Sequence, residues 1–485
     1  MKNTLSGKNE TSNNSGKSRE ERDLLGARNV PADAYYGIQT MRAMENFRLT
    51  DVPLSHYPPL VSALAMVKQA AAEANHHLDH LPSTRFKAIS MACQAIINGQ
   101  HNDQFVVDMI QGGAGTSTNM NANEVIANLG LELLGHAKGE YQHLHPNNDV
   151  NMAQSTNDAY PTAIRLGLLL GHDILLDSLA ALSSAFAAKG QEFAKVLKMG
   201  RTQLQDAVPM TLGQEFQAFA TTLNEDLSRL TQQVPALLCE VNLGGTAIGT
   251  GINADPRYQQ LAVERLTAIS GQPLKPAQDL IEATSDMGDF VLISGMLKRV
   301  AVKLSKICND LRLLSSGPRT GFNEINLPAR QPGSSIMPGK VNPVIPEAVN
   351  QVAFEVIGND LALTLAAEGG QLQLNAMEPL ITYKLFDSVR LLTRAMDMLR
   401  EYCVDGITAN EAHCRAQVEH SIGLVTALNP YIGYDNATRI AQQALATNAG
   451  VLELLRNEDL LDEDTLADAL HPDNMTAPRL VTPLS

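Results

Sequence analysis

Residues Phe290 to Leu314 read FVLISGMLKRVAVKLSKICNDLRLL. Phe290, Ile293, Leu297, Val300, Leu304, Ile307, Leu311 and Leu314 recur at alternating steps of three and four. That alternation is the seam of a helix packed against other helices, held over more than three heptads. The helical pattern around it runs from about Ala277 to Ser316, about 40 residues, or about 60 Å at 1.5 Å per residue. A rod of this length is too long for one small globule and argues for a bundle shared between subunits. Two more long runs lie upstream, at about Pro161 to Lys198 and about Pro209 to Leu238. Others span about Leu60 to Leu78, Ile345 to Ala367 and Met377 to Tyr402. No internal repeat and no sustained strand-like alternation interrupts them, so the chain reads as mainly α.

Downstream of the heptad run lies Gly333-Ser334-Ser335-Ile336-Met337-Pro338-Gly339-Lys340-Val341-Asn342-Pro343. Gly333 and Gly339 permit backbone geometries that a Cβ resists. The two serines offer hydroxyls, Lys340 a compact cation and Asn342 an amide. Helical patterns stop before this segment and resume after it, so it is predicted to be a loop on a rigid scaffold, where catalysis often sits. From Gln111 to Asn123 a second segment is crowded with Gly, Thr, Ser and Asn. It lacks the Gly-Lys-Ser/Thr ending of a nucleotide P-loop, yet hydroxyls and backbone N–H groups at a helix start make an anion cradle. That helix is predicted from Glu124 onward. His145 to Asp158 is a polar loop of the same kind, with Pro161 placed in the first turn of the helix that follows. The stretch Leu243 to Asn253, LGGTAIGTGIN, has no GxGxxG register and no βαβ context, which excludes a dinucleotide fingerprint.

The loop GSSIMPGKVNP resembles the signature of the fumarase/aspartase superfamily. Three further segments match in order: Gly113 to Asn121, His145 to Asp158, and Gly200-Arg201-Thr202-Gln203. The likeness runs from about Asp23 to about Thr476 and is strongest toward the branch that eliminates ammonia from aspartate. Phrases such as Val30-Pro31-Ala32-Asp33-Ala34-Tyr35-Tyr36-Gly37 support that branch. The resemblance implies a three-domain fold with a central bundle of very long helices, shared in the helical core of a homotetramer. The expected divisions are a disordered tail at 1–22, a mostly helical domain at 23–156, the bundle at 157–411 and a small domain at 412–485.

It also implies the chemistry. L-aspartate loses ammonia to give fumarate, through removal of a C3 proton beside the β-carboxylate. That step places a second negative charge on the carboxylate, so preorganised donors must stabilise a dianionic enediolate. By resemblance Thr116, Ser155 and Thr156 face that carboxylate and Asn157 faces the amino group. Ser334 is the implied base, with Ser335 adding a hydrogen bond. Lys340 and Asn342 are expected to hold the α-carboxylate. Thr202 and Gln203 are expected to reach the site from another subunit, and the stretch Leu243 to Asn253 to lie near it. A serine hydroxyl is a poor base unless N–H donors and a cation stabilise its alkoxide.

Gln203 separates two branches of the family. Water-eliminating members carry His there, because expelled hydroxide needs a proton. Ammonium is already protonated, so an amide suffices. Glu347, whose family counterpart pairs with that His, is then expected to be a structural carboxylate. The runner-up activity is fumarate hydration on the same fold. A purely structural descendant, as in some lens proteins, would have no need of intact Ser334, Lys340, Thr116 and Asn157.

Composition sets outer limits. The chain has 485 residues, 44% hydrophobic, with a net charge of −15. An acidic total without Trp argues against nucleic acid or an anionic membrane as partner. Cys93, Cys239, Cys308, Cys403 and Cys414 are scattered and form no CxxC, which fits reduced thiols and neither a disulfide framework nor a zinc site. The N-terminus lacks a signal-peptide core, and no window approaches 18 uninterrupted apolar residues, so a cytoplasmic protein is expected. His76 and His80 are four apart on a predicted helix, but without a Glu or Cys set beside them they read as surface histidines. The chemistry requires no cofactor. Some family members are activated by a divalent metal such as magnesium; no metal-ligand cluster is visible in this sequence.

Overall fold

The computed structural model describes residues 17–478. An antiparallel hairpin comes first, β1 (Ser18–Asp23) with β2 (Gly26–Pro31). Helices α1 (Ile38–Asn46), α2 (Pro58–His77), α3 (Ser83–Ile97), α4 (Thr116–Leu133) and the long α5 (Thr156–Glu192) follow. A second antiparallel hairpin, β3 (Leu197–Thr202) and β4 (Gln205–Thr211), leads into α6 (Leu212–Leu238). The short β5 (Glu240–Val241) and β6 (Lys275–Pro276) pair in parallel around α7 (Tyr258–Ser270). Next come α8 (Leu280–Ser285) and α9 (Gly288–Leu314), then β7 (Ile325–Asn326), which pairs with β8 (Thr408–Ala409). Between these strands lie α10 (Val344–Glu368) and α11 (Glu378–Tyr402). The C-terminal part is α12 (Glu411–His420), α13 (Leu424–Ile432), α14 (Tyr434–Thr447), α15 (Val451–Asn457), α16 (Glu463–Ala469) and α17 (Pro472–Met475).

The mainly helical class expected from the sequence is what the chain adopts, with two-stranded pairs as its only described sheets. Two compact units emerge. The first takes residues up to His172 with Val234–Ile293 and Leu361–Asp387; the second takes Asp173–Gln233, Ser294–Asp360 and the residues from Ser388. Consecutive domains with borders at 22, 156 and 411 are a different division, because α5, α6, α9, α10 and α11 each contribute residues to both units. In the first unit α2 packs on α3 and α7, and α4 packs on α1 and α3. In the second, Leu197 and Met199 of β3 share a core with Val418, Leu424, Leu428 and Ile440.

Four local expectations change. The tail expected at 1–22 lies outside the described residues up to residue 16, but Ser18–Asp23 is strand β1. It is ordered by polar side chains, which apolar counting ignores. The Arg19 guanidinium donates to the carbonyls of Pro31, Ala34 and Tyr36 at 2.9, 2.7 and 2.7 Å. The helix expected from Ala277 to Ser316 is two helices. Asp279 caps α8 through the N–H groups of Ile281 and Glu282, and Asp286, extended at φ −79° and ψ 133°, accepts the N–H of Gly288 before α9. Short acidic side chains that bond their own backbone compete with helix continuation in this way. Helix α4 begins at Thr116, not Glu124, because Gln111 accepts the N–H of Thr118 at 3.0 Å and satisfies one orphan donor of the first turn.

Pro161 lies beyond the first turn of α5, which begins at Thr156. Proline removes the bond that its own N–H would make to the carbonyl four residues back, that of Asn157. The Asn242 amide donates to that carbonyl instead, at 2.9 Å. Among the described helices, α5 is the one long and apolar enough to cross a membrane, with a mean hydropathy of 1.4 over 18 residues. Its Tyr160, Ile164, Leu168, Leu179 and Phe186 are buried inside the protein, and Arg165 is ion-paired with Asp289, so it reads as a core helix.

Candidate active site

The residues expected at the site fall into two groups, one on each unit. Thr116, Ser155, Thr156 and Asn157 belong to the first; Thr202, Gln203, Ser334, Ser335, Lys340 and Asn342 belong to the second.

In the first unit the four residues stand at two helix N-termini, where orphan N–H groups favour an anion. Thr116 opens α4 after three successive left-handed residues, Gly113, Ala114 and Gly115, at φ 94°, 52° and 87°. Glycine is required at 115: a Cβ would lie 2.2 Å from the ring of Tyr160. Ser155 stands before the first turn of α5. Its hydroxyl oxygen accepts the Asn157 N–H at 3.2 Å, while Asp158 accepts the Ser155 N–H at 2.9 Å, a reciprocal capping box. With its oxygen engaged as acceptor, the Ser155 O–H is free to donate. Asn157 donates its amide N–H to the Ala247 carbonyl at 2.8 Å, leaving its side-chain oxygen to accept from a cation. Asp158 also accepts the N–H groups of Gly244 and Thr246 at 2.9 and 3.0 Å, so the stretch Leu243 to Asn253 is fastened beside these residues. Burial pushes the Asp158 carboxyl up to about 6 against these donors.

The two helix starts are joined by an amide network that none of the motifs singles out. Asn119, in the first turn of α4, donates to the Thr156 hydroxyl oxygen at 3.2 Å. Behind Asn119 stands Lys68 of α2, fully buried, donating to the side-chain oxygens of Asn119, Asn151 and Gln154 at 2.6, 2.9 and 2.9 Å. Burial brings the Lys68 amine down to about 7, with Asp158 opposing the shift. The available signal was periodicity. Leu60, Leu64 and Ala71 place Lys68 on the apolar face of α2, where an unpaired lysine does not belong.

In the second unit Thr202 and Gln203 form the exposed tip of the β3–β4 hairpin. Gln203 and Leu204 both have positive φ, 54° and 62°, so the tip is a two-residue turn of the mirror-image type. Residues other than Gly, Asn or Asp carry a cost of about 1–2 kcal/mol each in this conformation, so the fold holds Gln203 there against its own preference. Arg201, in the same motif, serves structure. Its guanidinium is 2.5 Å from the fully buried Glu324 carboxylate and 4.3 Å from the Phe322 ring centroid, and Lys198 pairs with the same carboxylate at 2.7 Å.

The signature loop is closed on itself. The Gly333 N–H bonds the Lys340 carbonyl at 2.8 Å, and the Asn342 amide bonds the Gly333 carbonyl at 2.8 Å. Any Cβ on Gly333 would approach the Lys340 carbonyl to 2.7 Å. Within that ring the Ser334 hydroxyl oxygen accepts two backbone N–H bonds, from Ile336 at 3.2 Å and Met337 at 3.0 Å. Ser334 and Lys340 line one depression of about 490 Å³; Thr202 and Gln203 do not line it. Ser335 and Lys340 are exposed, and Asn342 is tied into the loop backbone.

For metal ligation, His76 and His80 have separate partners. His76 stacks on Phe86 and bonds the Leu81 carbonyl, and His80 lies 3.3 Å from Asp255. A different group, His136, Glu140 and His143, gathers three potential ligands within 4.8 Å of one another, which the sequence analysis did not foresee. The two imidazoles stack face to face, centroids 3.7 Å apart and planes 2° from parallel. Their in-plane lone pairs therefore lie in separate parallel planes and do not meet at one ion.

Comparison with known proteins finds relatives along most of the chain. A family profile described as Lyase matches residues 26–358, and one described as Fumarase C C-terminus matches residues 424–477. An aspartate ammonia-lyase of Pseudomonas aeruginosa is 80% identical, over 96% of this chain and 98% of its own. One from Escherichia coli is 55% identical, over 95% of this chain and 96% of its own. Among solved structures, a Brucella melitensis protein described as fumarate lyase:delta crystallin bound to cobalt is 61% identical. It superposes with a TM-score of 0.92 and covers 95% of this chain and 100% of its own. A class II fumarase of Schistosoma mansoni is 35% identical with a TM-score of 0.88, over 95% and 99%. Matched over most of its length by that profile and by these relatives, the chain belongs to the lyase family of fumarases and aspartate ammonia-lyases.

Proposed function

We propose that the protein eliminates ammonia from L-aspartate to give fumarate, reversibly, as a carbon–nitrogen lyase. The observation that carries the mechanism is the Ser334 hydroxyl, whose oxygen already receives two backbone N–H bonds inside a closed loop that also presents Lys340. Those donors are aimed where an alkoxide's charge would sit. Ser334 takes the C3 proton. The electron pair moves into the β-carboxylate as an enediolate, facing the donors Ser155 and Thr156 and also Thr116, whose hydroxyl donates to the Gly113 carbonyl at 2.7 Å in the free protein and turns to the substrate on binding. The pair then returns to form the C2–C3 double bond, and the C2–N bond breaks with its electrons leaving on ammonia. Asn157 accepts from the substrate ammonium, and Lys340 and Asn342 bind the α-carboxylate. The Gln203 amide cannot supply the proton that expelled hydroxide needs, which favours ammonia over water as the leaving group.

The assembly proposed is a homotetramer in which Thr202 and Gln203 complete another subunit's site. Supporting it, Phe354, Ile357, Leu361 and Leu365 form an exposed apolar row along α10 at spacings of three and four, the pattern of a helix awaiting a partner helix. The hairpin tip bearing Gln203 is exposed in the single chain as well. No cofactor is required, and five free cysteines, four of them buried, suit a reducing cytoplasm.

The deciding assay follows fumarate absorbance with L-aspartate or L-malate as substrate, with and without magnesium. Fumarate from aspartate and none from malate is the expected result; the reverse would establish a hydratase. A magnesium effect on rate would show metal activation. Mixing inactive Ser334→Ala and Gln203→Ala proteins should restore activity if the sites are composite, and no recovery would confine each site to one subunit.

A further inference from the structure

Lys68 is a buried cation with no direct carboxylate partner among the described residues, held by three amide oxygens. An ammonium has three donors and no acceptor, so each of these amides must turn its oxygen toward Lys68. For Asn119 this fixes the other end of the amide: its NH₂ group is left to donate, to the Asn151 oxygen at 3.1 Å and to the Thr156 hydroxyl at 3.2 Å. The Thr156 oxygen is therefore an acceptor toward Asn119, and its single hydrogen must point elsewhere. Asn151 repeats the pattern, with its oxygen receiving Lys68, Asn119 and Asn123. Without the ammonium, either amide could rotate half a turn. Asn119 would then accept from Thr156, and the threonine hydrogen would be consumed inside the network.

We infer that Lys68 is a positioning residue for the elimination: acting through Asn119, it sets the direction of the Thr156 hydroxyl so that it donates to the substrate carboxylate. The inference rests on the proposal that Thr156 faces the β-carboxylate. The charge contributes in a second way. Lying behind a relay of two hydrogen bonds, it polarises the Asn119 amide and strengthens the donor that meets the enediolate, in a site where no reorganisation is needed when charge develops. The effect belongs to the transition state more than to the ground state, because the carboxylate carries one charge before proton removal and two after it.

The test is a double-mutant cycle on the full-length enzyme at about pH 6, where the Lys68 amine, brought down to about 7, still carries its proton, reading kcat and KM for L-aspartate and the Kd of succinate, a dicarboxylate that cannot react. Thr156→Val should lower kcat by about 10²–10³, the usual loss for one donor to a developing oxyanion. Lys68→Met should lower kcat by at least about tenfold in the wild-type background and by less than about threefold when Thr156 is already Val, since coupled residues do not add. Equal losses in both backgrounds would overturn the inference, because a general structural role would not depend on Thr156. If Thr156→Val keeps its kcat within about threefold, the reading of the site fails and this inference with it.

Asn119→Asp guards against misfolding of the Lys68 variant. The carboxylate has the same shape and keeps Lys68 paired, but it can only accept, so it reverses the polarity toward Thr156. Its kcat should fall by about as much as that of Thr156→Val, with succinate affinity changed by less than about tenfold. Wild-type kcat in Asn119→Asp would overturn the inference.

Discussion

Replacing Ser334 by Ala removes the proposed base and leaves the bonds that close the loop. The ring is closed by Gly333 N–H to the Lys340 carbonyl and by the Asn342 amide to the Gly333 carbonyl, neither of which involves the Ser334 side chain. What is lost is an oxygen that accepts the Ile336 and Met337 N–H groups at 3.2 and 3.0 Å. Toward an alkoxide each such charge-assisted bond contributes about 1.5–3 kcal/mol, against about 0.5–1.5 kcal/mol toward the neutral hydroxyl, so the pair favours the alkoxide only by the difference. The remaining activation falls to Lys340 and to exclusion of water. Ser334→Ala should therefore lower kcat by roughly 10²–10⁴, the range for a positioned base, with little change in succinate binding. Ser335→Ala is the internal control: the same hydroxyl is removed one residue along, from a side chain that is exposed. The fumarate absorbance assay measures both. If Ser335→Ala is the more damaging, or if Ser334→Ala keeps more than about a tenth of wild-type kcat against the loss expected for a base, Ser334 is not the base.

Three further outcomes are expected. Gly115→Ala puts a methyl 2.2 Å from the Tyr160 ring at a φ of 87°, and overpacking plus left-handed strain should cost about 2–5 kcal/mol in denaturant unfolding; an unchanged midpoint would show that the α4 start can move. Deleting residues 1–16 should leave thermal stability alone, whereas deletion through Arg22 removes the buried Glu21 carboxylate that accepts the Ile38 N–H at 2.9 Å and the Tyr141 hydroxyl at 3.2 Å. Each donor so orphaned costs about 1–3 kcal/mol, and equal melting temperatures for the two truncations would refute the docking of β1. Lys68 gives a pH signature. Its amine is held at about 7 when folded and lies near 10.5 when unfolded, so the unfolded chain binds the extra proton and stability rises with pH above about 7. Below that point Glu124 and Asp158, raised to about 7 and about 6, act in the opposite sense. Above about pH 9, buried thiols such as Cys93, pushed up by burial, oppose the rise. Between about pH 7 and 8.5 Lys68 should contribute a slope approaching about 1.4 kcal/mol per pH unit, opposed by Glu378, whose carboxyl burial raises well above the usual range, so the wild-type slope should exceed that of Lys68→Met by about that amount; equal slopes in the two proteins would assign the pH dependence to another group.

Periodicity and composition by themselves determined the helical class, most of the long helices and the loop between α9 and α10. Heptad spacing and turn residues are local properties, readable without knowing what packs on what. Motif likeness added the site residues. The tertiary structure decided what depends on side chains meeting across sequence. It split the expected 40-residue helix at Asp286, because a short carboxylate captured the Gly288 N–H. It made strand from residues expected to be tail, because Arg19 found three distant carbonyls. It let α5 start five residues before Pro161, because Asn242, some 85 residues away, took the carbonyl that proline abandons. Lys68 is the clearest case. The sequence shows a lysine among alanines; only the fold places three amide oxygens around it, from segments 51, 83 and 86 residues away. A buried charge is tolerable only where such partners converge, and convergence is a property of the fold that no local pattern encodes.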